Sequence, residues 1–594
     1  MPAFNIDFEP VGRRGGCASD QSLLDSARQL NVDLVSICGG IGNCERCKVQ
    51  VIAGQVTKPT LEEEAYLSKS ELEQGYRLAC QTYPLSDVKL HVPPESLTAL
   101  QRTQVEGLEV DVTPESPIVG LDVHLSAPTL DSPIPDDANL WASLGLSAGR
   151  IDFQVQQVLS QTLRELNWDV RAALRGDELI ALGTPGTKWL GFAVDVGTTK
   201  IAGYLLDLES GKTLASKGMM NPQISYGEDV VSRIVAASRS PENANKLQNL
   251  VVDALSQLAA DLCAEIHADP AEVVEAVVVG NTAIHHLFLR LPVKQLGLAP
   301  YIPAVCSSVD IKAREIGLKI GPGAYVHLLP NIAGYVGADH VAMLLATRIA
   351  EAEKTTLAID IGTNTEICLN YHGRLTSVSC ASGPAFEGAH IKFGMRAAPG
   401  AIEHVRLSQN RLDIQTIGGE APVGICGSGL LDVVAQLRLN NVLDRSGKMG
   451  AHTLVSNHNG TTEFVLAERA GQDAITISQK DVRELQLAKA AIRLGIQALV
   501  IAEGLTEDDI ENVTIAGAFG TFIDVESAIM IGMLPRLPLN RFKQVGNAAG
   551  TGARLTLISR SQRLLAQQIA KQTGYIELAA IPNFNRKFAE ATYL

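Results

Sequence analysis

Two stretches of this chain repeat one another. Phe192-Ala193-Val194-Asp195-Val196-Gly197-Thr198-Thr199-Lys200-Ile201-Ala202 reads as an apolar strand, a tight Gly-Thr-Thr turn and a second strand. Leu357-Ala358-Ile359-Asp360-Ile361-Gly362-Thr363-Asn364-Thr365-Glu366-Ile367 has the same pattern. A second pair follows the same logic, Val277-Val278-Val279-Gly280-Asn281-Thr282-Ala283 being echoed by Val513-Thr514-Ile515-Ala516-Gly517-Ala518-Phe519-Gly520. Two elements duplicated in the same order predict two similar α/β lobes. In each hairpin an Asp ends a buried strand, so a carboxylate stands at the mouth of the sheet. The following Gly lets the backbone approach a phosphate, and Thr hydroxyls and N–H groups can take its oxygens. Gly197, Thr198, Thr199 and Lys200 on one side, and Gly362, Thr363 and Asn364 on the other, are the candidate phosphate ligands. Asp195 and Asp360, facing each other across a cleft, can hold a hydrated Mg²⁺ between them.

Near the start of the chain the chemistry is different. Cys38-Gly39-Gly40-Ile41-Gly42-Asn43-Cys44-Glu45-Arg46-Cys47 places three thiols on one Gly-rich loop, and Cys80 follows in Arg77-Leu78-Ala79-Cys80-Gln81. Four thiolates, three of them on a tight loop, suit a 2Fe–2S cluster, whose irons each take two cysteine sulfurs. The glycines allow backbone N–H groups to turn inward toward bridging sulfides. Structural zinc is the alternative, because Cys44-x2-Cys47 alone would suit it. A zinc ribbon, however, usually supplies two such pairs, and Cys80 stands alone. Phe4–Phe8 and Cys47–Ile52 alternate as strands, Ser22–Gln29 reads as a short helix, and Val88–Val92 closes the unit before Pro93-Pro94. Cys17 falls outside the pattern and reads as an ordinary thiol.

The rest of the chain is bounded more loosely. Its 594 residues suggest three to five domains, and a net charge of −15 argues against nucleic acid or an anionic membrane as the main partner. No uninterrupted apolar run approaches a membrane span, and no basic segment followed by an apolar core marks a secretory signal. Cys263, Cys306, Cys368, Cys380 and Cys426 are scattered in apolar or Gly-rich surroundings, as expected of buried thiols in a reducing, cytoplasmic compartment. Residues 95–117 read as a linker, and 118–188 as a small domain with strands at Val119–Leu125 and Ile151–Val158 and a helix at Leu159–Leu166. His285-His286 points to packing rather than metal, since adjacent helical side chains diverge by about 100°. Cys426-Gly427-Ser428-Gly429 is either a cleft-lining loop or a plain helix N-terminus. Gly383–Gly388 is either a loop over the second phosphate site or a structural turn. Asn221–Val230 reads as a loop entering a helix near Gly227.

The five-residue gap between Cys38 and Cys44 resembles adrenodoxin-type and sodium-pumping quinone reductase-type ferredoxins, and the surrounding elements resemble the β-grasp ferredoxin fold. The duplicated hairpins resemble the phosphate-binding motifs of the actin, sugar kinase and heat-shock ATPase superfamily, which has a duplicated ribonuclease H-like fold. In that comparison Asp195–Lys200 is the first phosphate loop and Asp360–Thr365 the second. Ile515–Gly520, with Gly517 and Gly520, is the adenosine loop, and the ligand is ATP with Mg²⁺. The expected division is a ferredoxin-type domain over 1–94, a linker over 95–117, a small middle domain over 118–188, and an ATPase domain over 189–594 with lobes of about 189–350 and 351–594. The whole arrangement resembles the reductive activators of corrinoid proteins. The resemblance implies one-electron reduction of Co(II) to Co(I) in a methyltransferase system, a corrinoid protein partner, an upstream electron donor, and a homodimer. No C-terminal 4Fe–4S cysteines follow Cys426, unlike the archaeal methylamine-type activators. Activators of acyl-CoA dehydratases or reductases, which share the ATPase fold, are the alternative, with a nucleotide-gated ferredoxin and a small-molecule kinase behind them.

Overall fold

The computed structural model describes all residues except 1–2, 10, 31, 33, 35–46, 94–95, 97–111, 228, 389, 409–410, 459, 470–471 and 518. Cys38, Cys44 and most of the expected linker therefore lie outside the described residues.

The N-terminal unit is a five-stranded sheet of β1 (Ala3–Glu9), β2 (Arg13–Ala18), β3 (Lys48–Ala53), β4 (Tyr76–Leu78) and β5 (Val88–His91), in the order β2-β1-β5-β3-β4. β1 runs antiparallel to β2 and parallel to β5. The helix Leu23–Gln29 follows β2, its N-terminus closed by the Ser22 hydroxyl accepting from the Asp25 N–H. Ile6, Phe8, Leu24 and Leu90 form the core under the helix. Buried Glu63 organises the segment that carries Cys80. It pairs with Arg77 at 2.7 Å and accepts from the Leu78 N–H at 2.9 Å and the Thr82 hydroxyl at 3.1 Å. Burial opposes its charge, but those donors hold its carboxyl below the usual range.

The next unit holds β6 (Ile118–His124), β7 (Arg150–Ile151), β8 (Asp169–Arg175) and β9 (Glu178–Gly183) in the order β6-β8-β9-β7. Here the sequence reading needs correction. Ile151–Val158 is not a strand: the chain leaves β7 at Ile151 and enters a helix spanning Phe153–Glu165. The Asp152 carboxylate accepts from the Gln154 N–H and starts the helix, and Val155, Leu159 and Leu163 fall on its buried face. Spacing of four sets that face, and the β-branched residues at 155 and 158 had weighed toward a strand.

The first large lobe contains β10 (Leu190–Val196), β11 (Lys200–Asp207), β12 (Thr213–Met220), β13 (Val273–Gly280), β14 (Val309–Lys312) and β15 (Tyr325–Leu328), in the order β12-β11-β10-β13-β15-β14. The second begins with β16 (Thr356–Asp360), β17 (Thr365–Tyr371) and β18 (Arg374–Cys380). It then inserts two small sheets, one of β19 (Ala401–Ser408), β20 (Arg411–Thr416) and β21 (Gly424–Ile425), the other of β22 (Val455–His458), β23 (Thr461–Arg469) and β24 (Gln472–Ser478). β25 (Asn512–Ala516), β26 (Phe542–Gln544) and β27 (Gly574–Tyr575) complete its main sheet, ordered β26-β25-β16-β17-β18-β27. The strands β12-β11-β10-β13-β15 thus match β18-β17-β16-β25-β26. In both sets an antiparallel three-strand meander continues into two parallel strands. The internal repeat is a repeat of topology.

The lobes share a core. The helix Ala338–Thr347 packs on the helix Ala548–Ile558, which belongs to the C-terminal segment yet lies against β10, β11 and β13 of the first lobe. Tyr204, Val341, Leu345, Ala553 and Leu557 are buried together there. The helix Gln479–Ala502 is long and apolar enough to cross a bilayer, but it packs against β17, β18 and the helix Phe584–Ala591. The helix expected near Gly227 begins at Val230, where Asp229 caps it by accepting from the Ser232 N–H at 2.6 Å.

Candidate functional site

The two repeated hairpins face each other across a cavity of about 210 Å³ between the lobes. Thr199 Oγ1 and Thr363 Oγ1 are 3.4 Å apart, so the two turns meet at their hydroxyls. Each turn needs its glycine. A Cβ on Gly197 would stand 2.8 Å from the Lys200 carbonyl oxygen, and one on Gly362 3.0 Å from that of Asn364. Asp195, Gly197, Thr198, Thr199, Lys200, Asp360, Gly362, Thr363, Asn364 and Gly517 all line the cavity. Gly517 adopts φ +92°, and a Cβ there would lie 2.5 Å from the Ile361 carbonyl oxygen and 2.7 Å from Asp360 Oδ1. The loop thereby presses its bare backbone against the second hairpin. Gly520 is the exception among the candidates: it does not line the cavity. Its carbonyl accepts from Gln544 at 2.7 Å, and it packs against its own loop at Ala516.

Asp195 and Asp360, both half-buried, share the cavity wall with two further carboxylates that sequence reading missed, half-buried Asp339 and buried Glu366. Burial, then repulsion from Asp339, pushes the Asp195 carboxyl up to about 7, with Asn547 working the other way. Burial, then Asp339 and Asp195, pushes Asp360 to about 8. Burial likewise raises Asp339 and Glu366. Among the described residues no three such groups lie close enough to grip a metal ion directly. That donor set fits Mg²⁺ holding its own waters, because the ion keeps several and is bound through a few carboxylates and substrate phosphates.

A signal for Asp339 exists in the repeat. Val336-Gly337-Ala338-Asp339 and Val545-Gly546-Asn547-Ala548 occupy matching positions, each opening a helix after the third parallel-side strand of its lobe. Both helix starts reach the cavity, through Asp339 and Asn547.

The remaining loops resolve as follows. Cys426, Gly427 and Ser428 form the N-terminus of the helix Gly427–Leu439, and that helix start lines the cavity. The stretch from Gly383 to Gly388 sits over the second turn: Gly383 donates to the Thr363 carbonyl at 3.0 Å, and the Thr363 hydroxyl donates to Glu387. Asn221 braces the first turn, its Nδ2 donating to the Gly197 carbonyl at 2.9 Å and its N–H to that of Thr199 at 2.8 Å. His286 is a packing residue, with Nδ1 2.7 Å from the Thr282 carbonyl and Nε2 accepting from the Ala304 N–H at 2.9 Å.

In the N-terminal unit Cys47 and Cys80 are both buried and lie at one end of the β3–β4 pair, where Ala79 donates to the Cys47 carbonyl at 2.9 Å. Two buried thiols at one strand end fit a shared cluster. Cys17 is buried, and burial raises its thiol. Cys380 and Cys426 are each packed in the second lobe, and burial raises both thiols.

Comparison with known proteins agrees part by part. Residues 7–85 match the 2Fe–2S iron–sulfur cluster binding domain, 107–188 the RACo linker region, 190–352 the RACo middle region, and 354–594 the C-terminal, ASKHA domain of RACo. The corrinoid activation enzyme RamQ of Eubacterium limosum is 33% identical over 95% of this chain and 95% of its own length. The [Co(II) methylated amine-specific corrinoid protein] reductase of Methanosarcina barkeri is 26% identical over 66% of this chain and 75% of its own. A solved structure described as a reductive activator for corrinoid, iron–sulfur protein superposes with a TM-score of 0.74 at 34% identity, covering 100% of this chain and 98% of that one. A 2Fe–2S domain, a linker, a middle region and a C-terminal ASKHA domain in this order, matched along nearly the whole length, place the chain in the RACo family of corrinoid activators.

Proposed function

We propose that this chain is an ATP-dependent reductive activator that returns the corrinoid of a partner protein from Co(II) to Co(I), one electron at a time. The observation that carries the reading is two facing phosphate turns, Thr199 and Thr363 3.4 Å apart, in one chain with a ferredoxin-type domain holding buried Cys47 and Cys80. The working units are residues 1–94, 95–117, 118–188 and 189–594, the last divided at about 350. Cys38, Cys44, Cys47 and Cys80 hold a 2Fe–2S cluster, which supplies a one-electron carrier refilled by an upstream donor.

In the cleft, Thr198, Thr199, Lys200, Thr363 and Asn364 take the phosphate oxygens of ATP, Gly197 and Gly362 let the backbone reach them, and the Gly517 loop faces the adenosine. Asp195 and Asp360 would hold Mg²⁺ through its waters, and the added charge would offset the like charges of Asp195, Asp339, Asp360 and Glu366. Plant-type 2Fe–2S centres lie near about −400 mV, and each roughly 59 mV of uphill gap costs about 1.4 kcal/mol for one electron. The energy enters as a population shift. With ATP bound, the lobes favour a docked partner whose cobalt is easier to reduce, and hydrolysis releases it. Cys263, Cys368, Cys380 and Cys426 are buried thiols that suit a cytoplasmic setting, whereas Cys306, expected to be buried, is exposed; sedimentation will test the homodimer.

ATP turnover by the purified protein tests this directly. Addition of a Co(II) corrinoid protein is expected to raise turnover several-fold, and Asp195→Asn to abolish it. Turnover indifferent to the corrinoid protein, or intact in Asp195→Asn, contradicts the reading.

A further inference from the structure

Among the described residues, two contacts of the ferredoxin-type domain with the two-lobed domain each lead within one or two residues to a phosphate turn. The first runs through the second lobe. Glu9, at the end of β1 and fully buried, accepts from Arg396 Nη2 at 3.3 Å. Arg396 lines the cleft, and its Nε is 4.0 Å from Glu387 Oε2. Glu387 in turn accepts from the hydroxyl of Thr363 in the second phosphate turn. The seat is close-fitting. A Cβ on Gly12, in the β1–β2 turn, would lie 2.6 Å from Arg396 Nη1, and Arg13 donates to Met395 Sδ at 3.2 Å.

The second contact runs through the first lobe. His91 Nδ1, at the end of β5, is 2.6 Å from Ser225 Oγ. Ser225 belongs to the short helical turn Pro222–Tyr226, whose leading residue Asn221 is bonded to Gly197 and Thr199 of the first phosphate turn. Buried Arg233 ties the same segment to that turn, bonding the Gly227 carbonyl at 2.9 Å and the Thr198 carbonyl. The ferredoxin-type domain therefore bridges both lobes beside the cleft.

We propose that Arg396 is a nucleotide-sensing residue shared between the cleft and the ferredoxin-type domain, and that the phosphate chain of a bound nucleotide competes with Glu9 for its guanidinium. This rests on the ATP reading above. Phosphate oxygens that take the Thr363 hydroxyl leave Glu387 beside a like charge. Arg396, already next to Glu387, is placed to neutralise both. Drawn toward the cleft, it loosens its bond to Glu9, which keeps Arg14 at 3.3 Å. Nucleotide binding and seating of the ferredoxin-type domain are then linked, each weakening the other by the same factor. The consequence is an electron carrier released toward its partner when ATP is bound.

The test is a cycle of AMPPNP affinities in Mg²⁺ buffer with the full-length, cluster-loaded protein, whose optical spectrum reports an intact cluster in every variant. Glu9→Gln is expected to tighten AMPPNP binding about 5- to 10-fold, within the usual range of coupling between sites. Glu9→Asp, which keeps the charge but shortens the reach, is expected to tighten it less, and serves if the first variant loses its cluster. In an Arg396→Met background the effect of Glu9→Gln is expected to vanish. Persistence of the effect there assigns it to long-range charge and overturns the shared guanidinium, as does unchanged affinity in Glu9→Gln. A wild-type protein that binds no AMPPNP overturns the ATP reading itself and this coupling with it.

Discussion

At the scale of single residues, the four carboxylates of the cleft set the pH behaviour. Asp195 and Asp360 have carboxyls raised to about 7 and about 8 by burial and mutual repulsion. A group raised in the folded state holds more protons folded than unfolded between the two values. Its stabilising effect is therefore full below the unfolded value and is lost as pH rises through the folded one. In metal-free buffer the melting temperature is expected to fall between about pH 5 and pH 8, and Mg²⁺ to restore it most at the alkaline end. Mg²⁺ affinity is expected to rise over the same range, because the ion displaces protons. A flat melting profile from pH 5 to 8 in chelator contradicts this arrangement of charges. Gly517 gives a second residue-scale prediction. At φ +92° and 2.7 Å from Asp360 Oδ1, an alanine Cβ strains the loop and displaces the carboxylate. Gly517→Ala is expected to cost about 1–3 kcal/mol in denaturant unfolding and most of the ATP turnover. Normal turnover would show that the loop does not position Asp360.

At the scale of elements, legibility followed duplication. Asp195 and Asp360, with the turns after them, could be read because each hairpin vouched for the other, and their meeting through Thr199 and Thr363 follows from the matched topology. Asp339 escaped because its signal, Val336-Gly337-Ala338-Asp339 against Val545-Gly546-Asn547-Ala548, is short and shifts the polar residue by one position. Glu366 escaped because an acidic residue on a strand reads as solvated until the fold shows it buried. Gly520 stands apart from the cavity wall, where it serves the packing of its own loop. The segment Ile151–Val158 failed for a local reason, since β-branched residues resemble a strand until the Asp152 cap and the four-residue spacing are weighed. That correction is itself testable. The helix buries Leu159 and leaves Val158 half exposed. Leu159→Ala is expected to cost about 2–4 kcal/mol, and Val158→Ala less than about 1 kcal/mol, in chemical denaturation. Equal costs would contradict the buried face assigned to this helix.

At the scale of the whole molecule, one chain joins a 2Fe–2S-type domain to a two-lobed domain with a cleft between its lobes. The two functions are expected to separate by mutation. Cys80→Ser removes a proposed cluster ligand at the end of the β3–β4 pair without touching the lobes, so ATP turnover is expected to persist while reduction of the corrinoid stops. Loss of both activities would mean that the cluster is needed for the fold of the cleft. The most direct measurement is an anaerobic optical titration. The protein, reduced with excess low-potential donor, is mixed with a Co(II) corrinoid protein, and the Co(I) band is followed with and without Mg-ATP. The account predicts Co(I) only when ATP is present. Co(I) forming at the same rate and extent without nucleotide would contradict it, leaving the cluster an ordinary ferredoxin and the ATPase without a role in the reduction.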